Sequence, residues 1–359
     1  MNTNQTYAII GCGMMGREHM RNLALVPGAE LIAIADPDES SREGAKAQAE
    51  ALGQSVRIFN DNTALLAKAR PDAVIIASPN FTHFDVVQPF MAAGCAVLLE
   101  KPMCTTLADA EALERAARDY AGLFWVGLEY RYMPPATRFI ERVHSGEAGA
   151  IKMLSIREHR FPFLAKVGDW NRFNRNTGGT LVEKCCHFFD LMRHILRDEP
   201  VRVFASGGQD VNHLDELYDG EVPDIIDNAF VMVDFAEGAR AVLDLCMFAE
   251  GSRDQEEISA AGPLGKLEVK LPSADVVWSP RDRSGPFVES ITTPEEALAA
   301  GDHHGATYYQ LHHFHTALTS GAPAQITARD GYRSVVMGAA AQESIATGMP
   351  VQIHFKDED

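Results

Sequence analysis

A chain of 359 residues suggests two domains, with ample material for a core in each. Its formal net charge of −18 argues against nucleic acid or an anionic membrane surface as a partner. No apolar run is long enough to span a bilayer, residues 1–6 show no basic region or apolar core for export, and the six cysteines form no C-x-x-C pair. A soluble cytoplasmic protein with reduced thiols is expected.

Up to about residue 125, strand and helix patterns alternate. A short apolar run, Ala8-Ile9-Ile10, ends in Gly11-Cys12-Gly13-Met14-Met15-Gly16 and passes into a helix expected over 14–26. In this G-x-G-x-x-G turn Gly11 permits the tight bend, Gly13 lets the backbone approach a pyrophosphate, and Gly16 lets the helix pack on the strand. The N–H groups of the helix start, at Met14 and Met15, and the helix dipole suit phosphate. The next strand, 31–35, ends in Asp36, near the spacing of the acid that bonds an adenosine ribose. Asp36 would repel a 2′-phosphate, so NAD is expected over NADP. Arg42 is the one nearby cation that could favour NADP, and it reads as a solvated helix residue. Helix 40–52, strand 56–59 and helix 61–70 follow. The continuous apolar run 73–77 fits a parallel strand covered on both faces. Helix 81–93 contains Pro89, which should bend or break it. Strands 95–99 and 123–126 flank an alanine-rich helix, 107–120. Such alternation predicts an α/β fold with right-handed βαβ units and a doubly wound parallel sheet.

Beyond that point strands dominate. Helix 135–144 is followed by strands 152–160, 201–206, 228–235, 239–248, 256–261 and 267–270, with a hairpin at 234–239. Helix 180–196 interrupts the series, 306–318 and 331–347 close the chain, and the acidic stretch 210–227 reads as a surface insertion. The pattern predicts a Rossmann-type domain, 1–125, and an α+β domain, 126–359, with a large, mainly antiparallel open sheet.

Ser78-Pro79-Asn80-Phe81-Thr82-His83 follows the fourth strand and Glu100-Lys101-Pro102 the fifth. Ligands of an open α/β sheet bind outside the carboxyl ends of its strands, which places Ser78, Asn80, His83, Glu100 and Lys101 at the cofactor. A lysine beside a nicotinamide can bond a substrate hydroxyl and stabilise alkoxide-like charge during hydride loss. The plain alternative is a surface lysine at a strand end. In the second domain Gly178-Gly179 leads into a helix that sets Glu183, His187 and Asp190 at i, i+4 and i+7, one polar stripe. A histidine flanked by carboxylates suits a general base. Equally, Thr180-x-x-Glu183 is a capping-box signature and His187 could be a satisfied core histidine. Arg131, Arg160 and Trp170 fit a pocket for a hydroxyl-rich or acidic ligand, or are ordinary surface residues. His303-His304 and His312-His313-x-His315 match no zinc spacing, and no metal is expected.

Together, the glycine turn, Glu100-Lys101-Pro102 at a strand end, and Gly178-Gly179 leading to an acid-x-x-x-His helix resemble the Gfo/Idh/MocA oxidoreductases, a family that includes inositol and glucose–fructose-type sugar oxidoreductases. The resemblance spans essentially the whole chain, through Ser78-Pro79-Asn80 with His83 to Gly305-Ala306-Thr307-Tyr308-Tyr309. It implies that Lys101, Glu183 and His187 line a hydride-transfer site. It also implies an NAD-dependent reaction on a secondary alcohol of a sugar, inositol or related polyol. A homodimer or homotetramer built through the second domain's sheet is implied as well. Inositol-type members usually carry aspartate in place of Glu183, and the family usually carries a small or uncharged residue in place of Lys184. Lys184, on the His187 side of the stripe, could depress the histidine pKa, bind a substrate carboxylate or point to solvent. Two rival readings stay open: a glycoside-cleaving enzyme that recycles tightly held NAD, and a sensor that binds dinucleotide without turnover.

Overall fold

The computed structural model describes residues 4–356, so residues 1–3 of the expected leaderless N-terminus lie outside the described residues. The chain forms two units. One takes the residues up to Tyr132 together with Pro294–Tyr332; the other takes Met133–Thr293 and the residues from Arg333 onward. Where the sequence suggests one division after residue 125, the chain leaves the first unit at 132 and returns to it at 294.

The first unit opens with β1 (Gln5–Ile10), α1 (Met14–Leu23), β2 (Ala29–Ala35), α2 (Glu39–Ala51), β3 (Arg57–Phe59) and α3 (Asn62–Ala69). It continues through β4 (Ala73–Ile76), α4 (His83–Ala92), β5 (Ala96–Leu99), α5 (Leu107–Arg118) and β6 (Phe124–Val126). The six strands are parallel in the order β3-β2-β1-β4-β5-β6. The order reverses between β1 and β4, which opens a crevice at the carboxyl ends of those two strands. Every residue of β4 and β5 is buried, as two-sided coverage requires. Asp38, Asp61 and Thr106 cap α2, α3 and α5 by accepting a backbone N–H with their side chains, each worth about 1 kcal/mol. Pro89 does not break α4. The carbonyl it leaves without a helical donor belongs to exposed Asp85, while Val87 and Phe90 are fully buried and hold the helix in place.

The second unit contains α6 (Pro134–His144), β7 (Met153–His159), α7 (Asn174–Thr177), α8 (Thr180–Glu183) and α9 (Cys186–Leu196). Then come β8 (Pro200–Gly208), β9 (Asn228–Phe235), β10 (Arg240–Cys246), β11 (Glu256–Ala261), β12 (Gly265–Leu271), β13 (Asp275–Pro280) and β14 (Phe287–Ser290). Helices α10 (Glu295–Ala300) and α11 (Ala306–Ser320) belong to the first unit, and the boundary falls inside α12 (Ala328–Thr347), ahead of β15 (Val351–Gln352). The sheet runs β14-β13-β12-β11-β7-β10-β9-β8-β15; β7 and β10 are parallel and the other neighbours antiparallel. Burial alternates along β7 and β9, so one face is covered and the other open. The helix expected over 180–196 is interrupted at Lys184 and Cys185. The acidic 210–227 segment is pinned at one end by buried Asp227, whose carboxylate accepts the N–H groups of Asp210, Val211 and Asn212. Among the described residues no helix is long and apolar enough to cross a membrane.

Candidate active site

At the carboxyl end of β1 the three glycines meet different surroundings. Gly11 has φ +90°, and a Cβ there would lie 2.4 Å from the Ala77 carbonyl oxygen. A Cβ on Gly16 would lie 1.9 Å from the Gly11 oxygen. Gly13, the residue before α1, would meet nothing within 4 Å. The turn is closed against its own backbone and open beside Gly13, where a pyrophosphate would face the N–H groups of Met14 and Met15. Half-buried Asp36 is fixed by two backbone donors, Cys12 N–H to Oδ2 at 2.6 Å and Asp38 N–H to Oδ1 at 2.8 Å, with lone pairs left for ribose hydroxyls. Arg42, half-buried in α2, does more than face solvent. Its Nη1 donates to the carbonyls of Asp36 and Pro37, each at 2.8 Å, so the guanidinium closes the same turn. These residues fit a dinucleotide with a free 2′-hydroxyl.

The next two turns are joined by His83. Its Nδ1 lies 2.9 Å from the Pro102 oxygen and its Nε2 3.0 Å from the Ser78 oxygen, and the ring is fully buried. Burial pushes its pKa down, so a neutral ring donates to one carbonyl at a time. His83 is a strut between the two turns expected to face the cofactor. Ser78 Oγ accepts from Thr82 Oγ1 at 2.8 Å, and the amide nitrogen of buried Asn80 is left without a protein acceptor, suited to a ligand oxygen. Glu100 is also buried, with its carboxylate held by protein donors. His19 Nε2 sits 2.7 Å from its Oε1, and Lys101 N–H reaches its Oε2 at 3.2 Å. Lys101 itself is half-buried at the carboxyl edge of β5, in a turn whose Lys101–Pro102 peptide is cis.

Behind Lys101 lies an acid–imidazole cluster that sequence reasoning missed. Burial opposes ionisation of Glu18, yet hydrogen bonds from His303 and Thr307 pull its pKa down to about 2. Burial likewise opposes charge on Glu100 and on His19, and their hydrogen bond reverses both, lowering the acid and raising the base. Glu129 is 0% exposed with both oxygens lacking hydrogen-bond partners; burial first, then the charge of Glu100, push it up to about 7. Its folded pKa stands above its unfolded one, so the stability it contributes is complete below pH 4.5 and is lost as pH rises through 7. Glu129→Gln mimics the protonated acid. Thermal unfolding should show it more stable than the parent at pH 8, by up to about 3 kcal/mol, and equal to it near pH 4. A parent and variant that track each other across this range would contradict the assignment. The sequence signal was available, in a glutamate and a histidine on the buried face of a helix and another glutamate just after a buried strand.

In the second unit Glu183, His187 and Asp190 are all buried, on either side of the break between α8 and α9. Lys184 is neither a solvent-facing nor an available substrate ligand: its Nζ is buried 2.8 Å from Glu158 Oε1. Arg160 lies 3.6 Å from that oxygen and stacks over Phe161. Half-buried Trp170 stands in a one-turn segment, Val167–Arg172, kinked at Gly168 and Asp169. Arg131, in the first unit, is buried and paired with Asp330 at 3.2 Å, which commits it to structure. The histidines of the C-terminal runs have separate tasks: His303 holds Glu18, His312 the Tyr308 carbonyl, His315 the Tyr7 hydroxyl, and His313 stacks on Tyr132. Among the described residues no group of three or more potential ligands is gathered for a metal.

A glycine turn, a fixed ribose acid and a lysine on the carboxyl edge of a 3-2-1-4-5-6 parallel sheet define a dinucleotide-dependent enzyme. Residues 5–128 match the model of an oxidoreductase family with an NAD-binding Rossmann fold, and residues 140–353 match that family's C-terminal alpha/beta domain. Inositol 2-dehydrogenase 2 of Saccharopolyspora erythraea is 29% identical, over 96% of this chain and 95% of that protein. A probable dehydrogenase from Thermotoga maritima is similar in structure, with TM-score 0.77 and 25% identity over 97% of this chain and 98% of that one. Levoglucosan dehydrogenase in complex with NADH shares the fold, with TM-score 0.86 and 20% identity over 98% and 99%. The chain belongs to the Gfo/Idh/MocA oxidoreductase family. It is an NAD-dependent oxidoreductase.

Proposed function

We propose that this enzyme oxidises a secondary alcohol of a sugar, an inositol or a related polyol. Bound NAD supplies the hydride acceptor. Lys101 stabilises the negative charge that develops on the substrate oxygen, and His187 takes the hydroxyl proton, oriented by Glu183 or Asp190. The observation that carries this reading is the placement of half-buried Lys101 at the carboxyl end of β5, on the edge that carries the glycine turn and Asp36. Similarity to an inositol 2-dehydrogenase supports the polyol class. The test is reduced-cofactor formation from a panel of inositols, aldoses, sugar acids and glycosides, with NAD and NADP in parallel. Turnover on one polyol group with NAD is expected. NAD binding without reduced cofactor from any member would sink the reading and favour cofactor recycling or a sensor.

We place the enzyme in the cytoplasm, a reading supported by six free thiols, five of them buried. A second copy of the chain is the occupant proposed for the open face of the sheet. There Phe204 lies opposite Met232 in the β8–β9 ladder, next to Phe230, with exposures of 38%, 47% and 65%. The adjoining Arg202–Asp234 pair offers both signs of charge to a symmetric partner. Phe230→Asp should shift the protein to monomer in analytical ultracentrifugation. A monomeric parent would end this proposal.

A further inference from the structure

Buried charges meet beside the joint between Glu183 and His187. On the covered face of the sheet, Leu154, Ile156 and Glu158 of β7 lie opposite Ala260, Ile258 and Glu256 of β11. Two acids thus end apolar rows directly across the ladder from one another, where like charges repel unless a cation or a proton separates them. The cation is Lys184, 2.8 Å from Glu158, with side chains 5% and 0% exposed. Arg160 stands 3.6 Å from the same oxygen, and Gln255 donates to Glu256 Oε1 at 2.7 Å. Lys184 falls where the helix stops: α8 ends at Glu183 and α9 begins at Cys186. An unbroken helix would fix Glu183 relative to His187 through its own hydrogen bonds. Here a two-residue joint does so, and its long side chain is tied to the sheet.

We propose that Lys184 is a positioning residue: held by Glu158, with Glu256 across the ladder, it fixes the joint between Glu183 and His187 and so the place of the imidazole. Its bearing on catalysis rests on the reading of His187 as general base. A lysine buried without a partner would be strongly disfavoured, so the pair specifies one arrangement of the joint. Burial and the charge of Glu158 push Glu256 up to about 7, against the pull of Lys184, Gln255 and Arg160. Near neutral pH Glu256 therefore gains its negative charge beside the Lys184–Glu158 pair, a change carried to the joint through Lys184 without involving substrate.

The test uses the whole protein with histidines labelled at Cε1, the His187 signal being assigned by its loss in His187→Asn. Lys184→Met should move that signal and its titration midpoint, lower kcat by about tenfold or more, and leave the NAD dissociation constant within about twofold. Adding Glu158→Gln removes the stranded carboxylate and should restore kcat by about fivefold, a non-additivity that a space-filling lysine would not give. Glu256→Gln keeps the Lys184–Glu158 pair intact and serves if Lys184→Met does not fold; it should change the pH dependence of the His187 signal. An unmoved signal in folded Lys184→Met, or an unchanged titration in Glu256→Gln, overturns the proposal. If His187→Asn keeps its turnover, the catalytic reading falls, while the ring signal still decides the positioning role.

Discussion

Gly16→Ala is expected to abolish NAD binding and lower the melting temperature, whereas Gly13→Ala should lose NAD affinity and keep its stability. The difference follows from where each added methyl goes. At Gly16 it lies 1.9 Å from the Gly11 carbonyl oxygen, a backbone atom of the turn it closes. Neither partner is a flexible side chain, so α1 must move off β1, and overpacking of this kind costs about 1–3 kcal/mol or more. At Gly13 the methyl meets no protein atom within 4 Å, and the space it takes is that of the pyrophosphate. Fluorescence titration with NADH together with thermal unfolding separates the two. Near-parental NADH binding in Gly13→Ala would mean that the phosphates do not sit against this turn.

The second large effect is on turnover. Lys101→Ala should lower kcat by about 10²–10³ with little change in NAD affinity, the usual consequence of removing one preorganised donor to a developing oxyanion. Lys101 also opposes the upward shift of Glu129, so its loss should raise the acid further and extend the pH range over which Glu129 stays protonated. Steady-state kinetics and NADH titration of the same preparation give both numbers. A drop confined to KM would point to substrate binding alone, and the oxyanion role would be withdrawn.

Much of the cofactor half was legible because its signals are local. Gly11 needs its own φ of +90°, Gly16 meets the Gly11 carbonyl five residues back, and Asp36 follows at the end of the next strand. The apolar runs of β4 and β5 declare two-sided burial directly. The break between α8 and α9 was not legible, since Thr180 through Leu196 contains neither glycine nor proline and its polar stripe fits a continuous helix. What marks the break is Glu158, on a distant strand. The bridging role of His83 was not legible, since sequence does not show on which side of the backbone a ring lies. The buried acid Glu129 was not legible either, as a glutamate in a string of letters carries charge but no burial. Strand β14 has only four residues and burial along β13 does not alternate, so neither leaves a period-two signal.

The return of residues 294–332 to the first unit bears on how the protein is made. Tyr7 bonds His315, Trp125 packs edge-on against Phe314, and Glu18 depends on His303 and Thr307. None of these partners exists when Tyr132 leaves the ribosome. Roughly 170–180 further residues must be polymerised first, on the order of ten seconds or more at typical elongation rates. During that interval the nascent glycine-turn half lacks these side-chain partners. A nucleotide-binding fragment cut at 132 would carry the same defect permanently.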